Sequence, residues 1–195
     1  MSKQGRRPRR RQMPVPAPPS LPGEPSGAAL VERMIRVDQA GEFGAMQIYR
    51  GQLAVLAGTA SEAPVREMAE QEREHLDTFD RLIAERRVRP TALTPIWRVA
   101  GFALGAGTAL LGERAAMACT VAVEEVIESH YNKQAAQLGD KEPELRATIE
   151  RFRDDEAHHR DVGLEHGAEQ TPGYRLLSGG IRTGTRMAIW LSERI

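Results

Sequence analysis

The run "EQEREHLDTF", residues 70–79, places Glu72 three residues before His75. A second run, "FRDDEAHHRDVG" at 152–163, places Glu156 three residues before His159. Both lie in segments whose apolar residues recur every three or four positions. Val65, Met68, Glu72, His75, Leu76, Phe79, Leu82 and Ile83 share one helix face; Leu145, Ile149, Phe152, Glu156, His159 and Val162 share another. Each Glu–His pair therefore falls in the middle of a stripe that turns inward. A carboxylate there must be neutralised by a buried cation, a proton or a metal, because an uncompensated buried charge is strongly unfavourable. The Glu-x-x-His spacing alone is weak evidence, since Glu is common in this chain. The next layer of carboxylates decides.

In "VDQAGEFGAMQIYRG" (37–51), Glu42 falls at heptad spacing with Ile35, Tyr49 and Leu56. In "VAVEEVIESHY" (121–131), the stripe of Met117, Val121, Glu124 and Tyr131 favours Glu124 over Glu125 as the inward carboxylate. Glu42 precedes Glu72 by 30 residues and Glu124 precedes Glu156 by 32, so the chain carries the order Glu then Glu-x-x-His twice. Two helical hairpins, each giving that set, supply the ligands of a ferritin-like di-iron carboxylate bundle. Four carboxylates and two imidazoles suit two iron ions with positions left open for O₂. Four negative charges also largely neutralise two Fe(II). Buried Glu–Arg pairs would be the metal-free alternative, but no Arg or Lys lies on these stripes. Structural zinc sites favour closed Cys/His sets instead.

The remaining sequence extends this to an all-α fold. Sustained period-2 alternation is absent. Helices are expected over about 26–57, with Ser26 as N-cap and Gly58 as stop, and over about 61–87, with Pro64 in the first turn and Pro90 beyond the end. Others are expected over 113–138, 143–167 and 172–194. Between the hairpins, "TPIWRVAGFALGAGTALLG" (94–112) is apolar and Gly-rich. Val99 to Leu111 is uncharged, too short to span about 30 Å of hydrocarbon as a helix. Gly101, Gly105 and Gly107 would weaken an isolated helix and leave room for a bound tail. The last helix mixes Ile181, Met187, Ile189, Trp190 and Leu191 with Arg182, Arg186 and Arg194, an interfacial composition. The expected architecture is a ferritin-like four-helix bundle over 26–195 with two additional apolar or amphipathic membrane-contacting helices.

Residues 1–25 read as a separate disordered tail. "MSKQGRRPRRRQ" holds six basic residues and no acid, and a Pro-rich run follows it. No apolar h-region follows the charges, as a cleaved signal peptide would need. The tail is a solvated arm, or one drawn to anionic lipid headgroups. The 195 residues carry no net charge, which removes a global electrostatic case for nucleic acid. The single cysteine, Cys119, lies in the apolar run "AAMACTVAVEE", so it reads as core and no intrachain disulfide is available.

From about Val31 onward the chain resembles the di-iron 5-demethoxyubiquinone hydroxylases of ubiquinone biosynthesis. The resemblance rests on "VDQAGEFGA", the Gln71–His75 run, residues 89–134, "FRDDEAHHRDVGLEH" and the terminal "MAIWLSERI". It implies Glu42, Glu72, His75, Glu124, Glu156 and His159 as iron ligands, settling Glu124 over Glu125. It implies O₂-dependent hydroxylation of a polyprenylated demethoxyquinone ring, two Fe ions per chain, and an external reductant, NADH or a partner reductase. It also implies a lipid-binding partner protein and a peripheral position on the cytoplasmic face of a bacterial inner membrane, or the matrix face of the mitochondrial one. A homo-oligomer is compatible with it. Three groups near the ligands join the candidate site: His130, six residues beyond Glu124; Tyr131, one residue further on the same stripe; and Asp155, adjoining Glu156. Two other function classes compete: another ferritin-like enzyme (ferroxidase, peroxide-scavenging oxidase or tRNA hydroxylase), and a non-catalytic lipid-binding bundle. The apolar 94–112 insert counts against a ferroxidase, neutral charge against a tRNA substrate, and the full ligand set against a non-catalytic protein.

Overall fold

The computed structural model describes residues 27–195. The tail and the proposed Ser26 cap lie outside the described residues. Those described form six helices: α1 (Ala28–Val55), α2 (Glu62–Arg86), α3 (Thr94–Leu110), α4 (Glu113–Leu138), α5 (Pro143–Glu165) and α6 (Tyr174–Ser192), with a 3-10 turn at Ala168–Gln170. Among the described residues there is no strand. The expected all-α class and helical bundle are found. Among the described residues no helix is long and apolar enough to cross a membrane.

The bundle consists of two hairpins, α1/α2 and α4/α5, joined through α3. The predicted stripes are buried where the hairpins meet, except that Leu76, Leu82, Ile83 and Val162 are half-buried. Ile35, Glu42, Tyr49 and Leu56 are buried on α1, Val65, Met68, Glu72, His75 and Phe79 on α2. On α4 and α5 the same holds for Met117, Val121, Glu124 and Tyr131, and for Leu145, Ile149, Phe152, Glu156 and His159. Ser61 occupies the N-cap position of α2 but makes no side-chain cap. Its backbone N–H and hydroxyl both donate to Glu113 at the start of α4, at 2.9 and 2.8 Å, which ties the two hairpins together. The start of α6 differs from expectation by two residues. Gly173 has φ +72°, a left-handed conformation that ends the preceding turn, so the helix begins at Tyr174 and not at Pro172.

The Gly-rich segment is a 17-residue helix, α3, packed on α1. Its glycines have a different use from the one expected. A Cβ at Gly105 would lie 1.9 Å from the Ile48 carbonyl oxygen, and one at Gly101 would lie 2.9 Å from that of Gly44. Gly51 on α1 answers from the other side, with a Cβ position 2.2 Å from the Phe102 carbonyl oxygen. Gly101 and Gly105 therefore let two helix backbones touch, so Gly105 leaves no room for a substrate tail. Gly107 alone has open space at its Cβ position.

Helices α3 and α6 lie on the same side of the bundle. They are bridged at one end by Trp97 Nε1, which donates to Ser192 Oγ at 3.0 Å, and by the Ala92 N–H, which donates to the Ile195 carbonyl. Their outer faces carry exposed large apolar side chains: Ile96, Val99 and Phe102 on α3, Leu110 and Leu111 at its end, and Leu176, Met187 and Trp190 on α6.

Candidate metal centre

Glu42 comes from α1, Glu72 and His75 from α2, Glu124 from α4, and Glu156 and His159 from α5. All six side chains converge in the core, and each residue is at most 2 % exposed. They form two overlapping quartets, Glu42–Glu72–His75–Glu156 and Glu72–Glu124–Glu156–His159, in each of which one ligand atom per residue lies within 4.8 Å of the others. Glu72 and Glu156 belong to both quartets. The imidazoles present Nδ1 inward: His75 Nδ1 is 3.2 Å from Glu156 and 3.7 Å from Glu42, and His159 Nδ1 is 3.1 Å from Glu72 and 3.3 Å from Glu156. Glu125 points away, 3.3 Å from Arg182 Nε.

These residues fit metal ions by a test of their own. Eight of their buried polar atoms have no hydrogen-bond partner: one oxygen each of Glu42 and Glu124, both of Glu72 and of Glu156, and Nδ1 of both histidines. Native cores rarely leave such atoms unsatisfied. All eight belong to the inward-facing groups of one cluster, which has the oxygen and nitrogen chemistry of an iron site. Without a cation the charges settle on protons. Burial, then the neighbouring carboxylates, push Glu72 well above the usual carboxylate range, and burial does the same to Glu124. Burial also acts on Glu156, but the imidazoles of His159 and His75 beside it outweigh it and hold its carboxyl low. Burial disfavours charge on the two imidazoles, yet the Glu156 carboxylate beside them raises both.

A second ring of groups holds the first. Tyr131 OH donates to Glu42, and Tyr49 OH donates to Glu124 at 2.7 Å. The outer nitrogens of the imidazoles cross between hairpins: His75 Nε2 is 3.2 Å from Asp155, and His159 Nε2 is 2.6 Å from Gln71. Of the three groups anticipated around the cluster, Tyr131 and Asp155 thus each touch one of its residues. His130 does not; its Nε2 lies 3.3 Å from Asp38, which also accepts from Gln134 at 2.7 Å. Tyr49, Gln71, Asp38 and Gln134 have no assigned role in the sequence reading. A usable signal exists for the first two: Tyr49 and Tyr131 are each seven residues beyond a cluster glutamate, and Gln71 and Asp155 each directly precede one.

A cavity of about 250 Å³ lies between α3 and α6 against this cluster. Its walls are Trp97, Gly101 and Leu104 from α3 and Thr185, Ala188 and Ile189 from α6. Glu42, Asp38, His130 and Tyr131 also line it, so its polar end is on the Glu42 side of the centre. An apolar slot ending at buried carboxylates is suited to an apolar molecule with a polar, reactive head.

Comparison with known proteins identifies the family of the chain. The family model described as "Ubiquinone biosynthesis protein COQ7" matches residues 29–192. The chain is 59% identical over 176 residues to a 3-demethoxyubiquinol 3-hydroxylase of Rhodospirillum rubrum, covering 90% of this chain and 83% of that one. It is 53% identical over 171 residues to an NADPH-dependent mitochondrial 3-demethoxyubiquinone 3-hydroxylase of Homo sapiens, covering 86% and 79%. A mitochondrial 5-demethoxyubiquinone hydroxylase of Saccharomyces cerevisiae is 46% identical over 185 residues, covering 86% and 79%.

Proposed function

This chain belongs to the COQ7 family of ubiquinone biosynthesis proteins, and from that premise we propose that it is a monooxygenase hydroxylating the ring of a polyprenylated demethoxyubiquinol. The reaction replaces a ring C–H by C–OH with one atom of O₂ and releases the other as water, which takes two electrons and two protons from outside. The observation that carries the chemistry is the set of eight unsatisfied ligand atoms at the end of an apolar slot. A ferroxidase would need the cluster but not the slot.

Glu42, Glu72, His75, Glu124, Glu156 and His159 would hold two iron ions, Glu72 and Glu156 serving both. The irons, when bound, supply the activation of O₂. The chain's own contribution is to position and enclose. Tyr131 and Tyr49 fix the terminal carboxylates Glu42 and Glu124 by hydrogen bonds. Asp38 and His130, both in contact with Gln134, form a polar group at the cavity that would receive a quinol oxygen and orient the ring. The apolar walls exclude water and accept the first isoprene units. The rest of the tail would leave between α3 and α6 toward their exposed apolar faces, and each CH₂ of it favours lipid by about 0.8 kcal/mol.

We place the protein peripherally on a membrane through those faces, on the cytoplasmic side of a bacterial inner membrane or the matrix side of a mitochondrial one. The reductant is external, a reduced nicotinamide; the names of several relatives specify NADPH, where the family resemblance implies NADH or a partner reductase. A lipid-binding partner would deliver the substrate. The decisive experiment measures iron per chain and O₂-dependent addition of one oxygen atom to a demethoxyquinol. Wild type should hold two irons and turn over. Glu72→Ala and His159→Ala should lose iron and activity, and full iron loading in both variants would sink the ligand assignment.

A further inference from the structure

The centre is nearly its own mirror in sequence. Glu42 and Glu124 stand 82 positions apart, as do Tyr49 and Tyr131; Glu72 and Glu156, His75 and His159, and Gln71 and Asp155 each stand 84 apart. The contacts obey the same relation. Tyr49 donates to Glu124 and Tyr131 to Glu42; Asp155 meets His75 and Gln71 meets His159. Among these pairs the chemistry is conserved at every position but one: glutamate answers glutamate, tyrosine answers tyrosine, histidine answers histidine, and a neutral amide answers a carboxylate.

We infer that Gln71 and Asp155 are positioning residues that make the two metal positions unequal, with the Glu42/His75 position the stronger. The inference rests on the two-metal reading above. Both imidazoles turn Nδ1 inward, so each donates its Nε2–H outward. A carboxylate accepting that proton shifts electron density onto the imidazole and raises its basicity as a ligand; an amide oxygen orients the ring but polarises it less. Solvent reaches Asp155, whose side chain is 41% exposed, and weakens its effect. It does not supply an equivalent charge to His159, which remains fully buried beside an amide. The stronger position is also the one whose carboxylate, Glu42, lines the cavity.

The test uses the full-length metal-free protein titrated with Co(II) and, separately, loaded with ⁵⁷Fe(II). Wild type should take up metal in two distinguishable steps, and its iron should give two Mössbauer quadrupole doublets of equal area. Asp155→Asn keeps an acceptor of the same shape and removes the charge. It should weaken the first step about ten- to hundredfold, leave the second, and draw the two doublets together. Gln71→Glu adds the missing charge and should tighten the second step toward the first. A purely orienting role predicts no change in either readout for these near-isosteric variants. Two metals bound with unchanged steps and doublets in both variants would therefore overturn the inference while leaving the two-metal reading intact. Fewer than two metals per chain in wild type would overturn both.

Discussion

Asp38 is a buried carboxylic acid on the cavity wall, and its environment gives it a titration that can be measured. Burial raises its pKa from 3.8 to about 6, against the pull of the hydrogen bonds from His130 and Gln134. The folded state therefore keeps this proton over a pH range in which the unfolded chain has released it. Stability falls as pH rises through that window, by on the order of 2–3 kcal/mol for a shift of this size. Asp38→Asn removes the proton. In metal-free protein, urea denaturation at pH 4 and at pH 6.5 should show the variant gaining on wild type at the higher pH; an equal difference at both would refute the burial argument. Tyr131 gives a second prediction at this scale. Tyr131→Phe removes the hydroxyl that holds Glu42, so iron should be retained while the initial rate falls about ten- to hundredfold. Iron content and rate measured on the same sample check it. The cluster residues were legible because carboxylates on apolar stripes demand an explanation, and stripe position separates Glu124 from Glu125. Asp38 was not, because its partners His130 and Gln134 lie more than 90 residues away on the other hairpin and leave no local mark.

For the helices, apolar period and punctuation were sufficient to place α4 at Glu113–Leu138 as expected, and α2 to within a residue at each end. Helix α3 was not read correctly in its glycines. Composition says that Gly weakens a helix, whereas only the neighbour's backbone says why a glycine is there. The contrast is testable within one helix. Gly105→Ala drives a Cβ into the Ile48 carbonyl, which no side-chain rotation relieves, and should cost about 3 kcal/mol, the upper part of the range for overpacking. Gly107→Ala meets nothing within 4 Å and should be neutral or stabilising by up to about 1 kcal/mol. Denaturant midpoints of the two variants would settle the matter, and equal effects would mean that α3 does not sit on α1 as described.

Across the whole molecule, the same six side chains that would hold iron are a burden without it, since four carboxylates crowd one core. Metal bound only by the folded state at about 100 times its dissociation constant adds about 2.7 kcal/mol. For a chain of this length that corresponds to a melting temperature higher by roughly 5–10 °C. Chelation should reverse the gain, and an unchanged melt after verified iron removal would count against a structural contribution. The exposed apolar faces of α3 and α6 are the other feature of the whole. Leu111→Glu combined with Leu176→Glu should reduce sedimentation with anionic liposomes while leaving iron content and melting temperature unchanged, because both leucines project into solvent. Undiminished liposome binding would move the membrane contact elsewhere. The backbone seat of α3 on α1 bears on timing as well. With Gly105 against Ile48 and Gly51 against Phe102, that wall of the slot has no slack to give. Helix α6 opposite buries only Ser178, Ile181 and Ser192, and its Gly179, Gly180 and Gly184 have open space around them. Widening to pass a substituted ring is then a one-sided swing of α6, a helix that carries none of the cluster residues. If that helix rests in lipid as proposed, the medium would damp its swing, and the viscosity of the bilayer would set the pace at which product leaves.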